Sequence, residues 1–257
     1  MKISIIQQEI VWGDKEHNLS AFSQLVEPLY GKTDVVVLPE MWSTGFSVDK
    51  PYLAEDELGE AFHCVRRWAK DGDFAVAGSI MAKEGEHSVN RGFFCEPDGT
   101  LTTADKRHLF IGDEQRYFVP GNKHLDVTFR DVKFRVLICF DLRFPVWSRN
   151  VGGNSYDVLI YTANWPKDRI EAWDTLTKAR AMENQSYVCA VNAVGVDSYH
   201  VYHCGHSVLL DPRGNVLVDF EENAIGCKTG EIDLEKLNKV RNRLPFWKCA
   251  DTFTIQR

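Results

Sequence analysis

The sequence predicts an α/β chain folded as a four-layer α-β-β-α sandwich of two similar halves, and three observations predict it. Short apolar runs of strand length alternate with amphipathic stretches from end to end. The order strand, helix, strand, helix, strand, hairpin occurs roughly twice along the 257 residues. Two proline-containing turns, Glu96-Pro97-Asp98-Gly99 and Asp211-Pro212-Arg213-Gly214, mark hairpins far apart in the chain. Two sheets packed face to face with helices outside bury every apolar face such a pattern creates. No linker, low-complexity run or charge block divides the chain, so residues 1–257 read as one domain.

Residues 3–7 read as the first strand. Asp14 is placed to cap a helix over residues 14–30, because Leu19, Phe22, Leu25, Val26 and Leu29 form one stripe. Residues 34–38 are an almost unbroken apolar run, a strand covered on both faces and ended by Pro39. A glycine-containing loop over 41–54 leads to a helix over 55–70 and a strand over 74–81. Residues 134–140 and 157–163 read as two more buried strands. Asp168 is placed to cap a helix over 168–185, with Glu171 as its capping-box partner and Ile170, Trp173 and Leu176 as the buried stripe. A loop over 200–206 then enters a strand over 207–210.

Bulk properties narrow the function. A hydrophobic fraction of 44% with 26% charged residues is ordinary globular usage, so a sizeable core is within reach. The net charge of −7 argues against a nucleic-acid partner, which calls for a basic face. It leaves a small anionic substrate open, since one local Arg or Lys overrides the global field. No stretch approaches the roughly 18 apolar residues of a membrane span, and the first apolar run is too short for a signal peptide. The cysteines, Cys64, Cys95, Cys139, Cys189, Cys204, Cys227 and Cys249, are odd in number, scattered and without a C-x-x-C pair. That suits neither a disulfide nor a zinc framework and points to a reduced, cytoplasmic setting.

Three residues stand out chemically. Cys139 follows a buried strand and precedes a turn ending at Pro145, so its sulfur can project from a sheet edge like the nucleophile of a strand–turn–helix elbow. The alternative is a small buried hydrophobe. Glu40 leaves the strand over 34–38, where ligands gather in α/β sheets; a cap or loop ion pair is the competing reading. Lys106, just after the first hairpin, would by itself be a solvated charge. Together they make sense. A thiol with an ordinary pKa near 8.5 needs an adjacent base to attack an amide, and Glu40 can be one. A lysine offsets the resulting pair of negative charges and can stabilise an oxyanion.

Leu38-Pro39-Glu40-Met41, Lys106-Arg107-His108-Leu109-Phe110 and Cys139-Phe140-Asp141-Leu142-Arg143-Phe144-Pro145 resemble, in this order, the three catalytic blocks of the nitrilase superfamily. The resemblance continues through Ala163-Asn164-Trp165-Pro166, Arg180-Ala181-Met182-Glu183-Asn184-Gln185, Gly205-His206-Ser207 and the turn at Asp211, covering nearly the whole chain. Within the superfamily it is most similar to omega-amidases, which hydrolyse the terminal amide of 2-oxo dicarboxylic acid monoamides. The resemblance implies a nitrilase-like fold with Glu40 as general base, Lys106 as oxyanion donor and Cys139 as nucleophile. It further implies the backbone N–H of Phe140 as second oxyanion donor and Glu114, or its neighbour Asp113, as a second acid. It implies no metal or organic cofactor and a homodimer or higher homo-oligomer, with Trp147 and Trp173 at the interface.

The remaining expectations concern the pocket. Trp42, Phe46, Phe110, Phe144 and Trp165 lie beside the catalytic blocks and either line a pocket or pack the core. Arg143 either holds a substrate carboxylate bidentately or shapes the turn through an ion pair, and Arg116 is the second candidate for the carboxylate. His200, His203 and His206, with Cys204, match no common zinc spacing, and a loop is the better reading. The rival activities are those of another superfamily member (nitrilase, carbamoyl-amine hydrolase or aliphatic amidase) and, with all three catalytic residue types present, less readily a binding module.

Overall fold

The computed structural model describes residues 1–153 and 155–255. The first sheet takes β1 (Lys2–Gln7), β2 (Val35–Val37), β3 (Ala75–Glu84), β4 (His87–Cys95) and β5 (Leu101–Asp105). The second takes β6 (Leu125–Phe129), β7 (Val132–Ile138), β8 (Val158–Ala163) and β9 (Tyr187–Asn192). A short ribbon, β10 (Val194–Val196) with β11 (Tyr202–Cys204), precedes β12 (Val208–Leu210) and β13 (Val216–Asp219), which complete the second sheet. β14 (Gly226–Glu231) then crosses back to the first. The strand orders are β14-β1-β2-β3-β4-β5 and β13-β12-β9-β8-β7-β6. In each sheet three central strands run parallel and the outer ones antiparallel, so the two halves repeat one design.

Three apolar layers hold the sandwich. Ile3, Ile5, Val37 and Phe94 of one sheet meet Phe134, Val136, Ile160 and Val191 of the other in the central layer. Helices α1 (Lys15–Val26) and α2 (Glu60–Gly72) cover the outer face of the first sheet through Phe22, Val26, Phe62, Val65 and Trp68. Helix α4 (Ile170–Asn184), reached after the single turn α3 (Asp113–Tyr117), covers the second sheet through Trp173 and Ala181. The observed layering is therefore the predicted α-β-β-α sandwich. Helix α5 (Leu234–Arg243) docks by Leu237 and by Arg241, whose guanidinium reaches Asp157 (2.7 Å) and the carbonyls of Tyr156 and Gln185.

Local signals held where one interaction governed them. Asp14 caps α1 by accepting the N–H of His17, and both proline-containing turns close hairpins. Other expectations need correction. Helix α2 begins at Glu60, not near residue 55, because Glu55 is tied to the sheet edge by backbone bonds with Met81 and Lys83. From there its carboxylate accepts the N–H of Ala61, an N-terminal cap supplied from outside the helix. Helix α4 starts at Ile170 after a 3₁₀ turn over Lys167–Arg169, and neither Asp168 nor Glu171 forms the expected capping box. The strand expected over 134–140 ends at Ile138, and residues 202–204 form strand β11 rather than loop.

Candidate active site

The parallel strands β2, β7 and β8 end on the same side of the sandwich, and their exits supply the site. Glu40 follows β2, Cys139 follows β7, Asn164 and Trp165 follow β8, and Lys106 follows β5. Chain direction and pairing thus bring together residues 99 positions apart in sequence, from Glu40 to Cys139.

Cys139 sits at a sharp change of conformation. Its φ of 44° lies in the left-handed region, costly for a residue with a Cβ. It opens a 3₁₀ turn over Cys139–Arg143, held by Asp141, whose carboxylate accepts the N–H groups of Ile138 (3.1 Å) and His108 (3.1 Å). The turn therefore has a built-in clamp between β7 and the Lys106 segment. Phe140 is second in the turn, where a backbone N–H has no acceptor within the turn.

Behind the thiol lies a fully buried charge cluster. The Lys106 Nζ donates to Glu40 Oε1 (2.9 Å) and to Glu114 Oε2 (2.8 Å), and all three side chains are shielded from solvent. Asn90 Nδ2 bridges the same carboxylates at 2.7 Å and 3.1 Å. The N–H of Asn164 donates to Glu40 Oε2 (2.8 Å), and that of Phe110 donates to Glu114 Oε2. Each carboxylate is thus oriented from several directions, a requirement for a general base of fixed geometry. Glu114 holds the second acidic position; Asp113 is exposed and outside the cluster.

Burial pushes the Cys139 thiol well above its ordinary pKa, and the Glu40 carboxylate adds to the rise while Lys106 opposes it. These surroundings favour the protonated thiol over the thiolate. Burial alone would lower the Lys106 ammonium, but Glu114 and Glu40 outweigh it and hold the pKa up. Burial raises the Glu114 carboxyl, with Lys106 pulling against the rise. Lysine stays a cation, ready to face an oxyanion.

These groups open into a cavity of about 350 Å³, the size of a small-molecule site. Lys106, Glu114, Cys139, Phe140 and Asn164 form its reactive end, and Phe46, Phe110, Arg143 and Trp165 line it as expected. Several residues had not been anticipated there: Trp12, Arg169, Asp197, Tyr199, Val201 and His203. They arrive on the β1–α1 connection, the 3₁₀ turn before α4 and the β10–β11 ribbon, of which only the last drew notice in the sequence, through its histidines. Asn164 lay within a recognised block, whereas Asn90 lies on a strand of mixed polarity, His87–Cys95, with no local signal of burial.

Three expectations fail here. Trp42 is buried between Phe22 and Trp68 beneath the helices and does not reach the cavity. Arg116 lies exposed over the ring of Tyr117, because α3 turns it outward while turning Glu114 in. Trp147, stacked on His124, and Trp173, packed on Trp165, are both largely buried within the chain rather than displayed on its surface. Phe144 takes the packing alternative, stacked on His108 outside the cavity lining. As for the histidines, His203 faces Asp197 (3.2 Å), His206 faces Asp174 (3.0 Å) and His200 sits in an exposed turn. Among the described residues no group of three or more His, Cys, Asp or Glu side chains is arranged to hold a metal ion.

A thiol at a strand exit, backed by a glutamate–lysine–glutamate cluster on an α-β-β-α sandwich, defines a cysteine hydrolase acting on carbon–nitrogen bonds. The chain belongs to the carbon-nitrogen hydrolase family, whose model matches residues 2–242. It is 38% identical to an omega-amidase (YafV) of Yersinia enterocolitica over 99% of this chain and 98% of that protein. It is 33% identical to a 2-oxoglutaramate amidase of Bacillus subtilis over 95% of both. The structure superposes with a TM-score of 0.97 on XC1258 of Xanthomonas campestris, a CN-hydrolase superfamily protein described with an arsenic adduct in its active site. That protein is 34% identical, with 100% of this chain and 99% of that one covered.

Proposed function

We propose that this chain is an omega-amidase, hydrolysing the terminal amide of a small 2-oxo dicarboxylic acid monoamide through a thioester on Cys139. The observation that carries the reading is the buried Cys139 thiol beside a glutamate already oriented by Lys106, Asn90 and Asn164. Glu40 takes the thiol proton as sulfur attacks the amide carbon. Lys106 and the N–H of Phe140 stabilise the oxyanion. Collapse expels ammonia with the proton returned by Glu40, and Glu40 then activates the water that cleaves the thioester. Glu114 keeps Lys106 in place and charged. Arg143, lining the cavity and exposed, is the first partner for the substrate carboxylate. The full-length likeness to relatives named for omega-amidase and 2-oxoglutaramate amidase activity supports the choice among amides.

Homodimerisation belongs to the same reading. It is supported by the exposed apolar side chains of Met182, Leu244 and Phe246, which share one surface cleft. Ammonia release across 2-oxoglutaramate, 2-oxosuccinamate, glutamine, an aliphatic amide and a nitrile tests the substrate. The 2-oxo acid amides are expected to lead in kcat/KM. A higher value for the aliphatic amide or the nitrile would replace the omega-amidase reading with another activity of the family.

A further inference from the structure

The reactive end of the cavity holds two buried carboxylates for one lysine, an arrangement that repels a second negative charge. A substrate with a carboxylate must therefore present its amide to Cys139 and turn its acid away. Besides Lys106, two permanently charged side chains line the cavity, Arg143 and Arg169. Among the described residues neither forms an ion pair. Each guanidinium lies over an aromatic ring of the cavity wall. Arg143 is 4.9 Å from the centroid of Trp165, and Arg169 is 5.2 Å from that of Phe110. Trp165 Nε1 donates to the carbonyl of Arg169 (2.8 Å), which fixes the backbone bearing the second arginine to the ring bearing the first. Stacking on an aromatic face orders a guanidinium without neutralising it or using its N–H donors. Two other carboxylates line the cavity. Asp113 is exposed, and Asp197 is engaged by His203 and by the N–H groups of Tyr199 (2.8 Å) and Val201 (2.9 Å).

We infer that Arg169 is a specificity-determining residue, acting with Arg143 as a two-point clamp for the carboxylate and adjoining 2-oxo group of the substrate. The inference rests on the amidase reading for the orientation of the amide, and on the two unpaired arginines for the clamp itself. The sequence drew attention to Arg143 and Arg116 but not to Arg169. Arg169 sits in the 3₁₀ turn that replaces the first turn expected of α4, and that turn brings it to the cavity.

The test compares succinamate with butyramide, its uncharged counterpart, in the wild-type enzyme and in Arg169→Ala, Arg143→Ala, Arg169→Lys and the double alanine variant. Glutarate binding to the same proteins is followed by calorimetry. Arg169→Ala is expected to lower the ratio of kcat/KM for succinamate over butyramide roughly 10–100-fold, mainly through KM, the range of one lost charge-assisted contact. Glutarate affinity should fall by a similar factor, and Arg169→Lys should recover part of both. An unchanged ratio together with unchanged glutarate affinity in Arg169→Ala would overturn the clamp. Should the wild type release ammonia from neither amide, the amidase reading fails by itself. The glutarate titration then still decides: weaker binding in Arg169→Ala upholds the clamp, and equal or undetectable binding in the two proteins rejects it.

Discussion

At the scale of single residues, the proposed catalytic role of Lys106 coincides with a structural one. It is the one cation between Glu40 and Glu114, and all three side chains are buried. Lys106→Ala should reduce kcat by about 10²–10³, the usual cost of one oxyanion donor. It should also destabilise the fold, because two buried carboxylates lose their partner. The pH dependence of that defect carries a sign. Glu114 has a raised folded pKa, so its charge destabilises above that pKa and stability returns as pH falls through it. The melting temperature of Lys106→Ala should consequently rise between pH 8 and pH 5 relative to the wild type. A variant with full stability at pH 8, or with only KM altered, would show that Lys106 is not the hub of the cluster.

At the scale of elements, the sequence was readable wherever one short-range rule governed the outcome. Apolar runs gave the central strands, Asp14 gave the start of α1, and the proline-containing turns gave both hairpins. It misled where tertiary contacts took over a local signal. Glu55 looked helical but is bound to the edge of β3, and Asp168 looked like a cap but lies inside a 3₁₀ turn. The site divided likewise: Glu40, Lys106 and Cys139 lie in recognisable blocks, whereas Trp12, Arg169 and His203 reach the cavity through topology alone. Trp42 neighbours Glu40 in sequence but faces the opposite layer. The docking of α5 gives this scale its own prediction. Arg241 is buried and makes three bonds, to Asp157, Tyr156 and Gln185. Arg241→Ala should cost about 1–3 kcal/mol by leaving a half-buried carboxylate and two carbonyls without their donor. Urea denaturation measures it, and a loss below about 1 kcal/mol would mean that α5 is held by Leu237 and its neighbours instead.

At the scale of the whole molecule, the buried titratable groups set an alkaline limit. Burial raises the Cys189 thiol and the Tyr156 and Tyr161 phenols, and raises the Cys95 thiol to about 11. Each stays protonated in the fold at pH values where the unfolded chain loses the proton, so the folded state binds more protons and stability falls as pH rises. The fall should begin near pH 9, where unfolded thiols ionise, and steepen above pH 10 as the tyrosines join. Urea midpoints at pH 7, 9 and 10.5 check this; a constant midpoint to pH 10.5 would contradict it. The same burial shapes the proposed mechanism, in which a thiol held protonated beside the charge cluster reacts when Glu40 takes its proton. The central claim is accordingly a covalent one, that the acyl group of the amide passes through Cys139. Acid-quenching the enzyme during turnover of 2-oxosuccinamate and measuring its intact mass, followed by peptide mapping, tests that claim most directly. The predicted result is a hydroxylamine-sensitive acyl adduct on the peptide containing Cys139, with neither adduct nor ammonia from Cys139→Ala. An adduct on any other residue, or ammonia release by Cys139→Ala at the wild-type rate, would contradict the account.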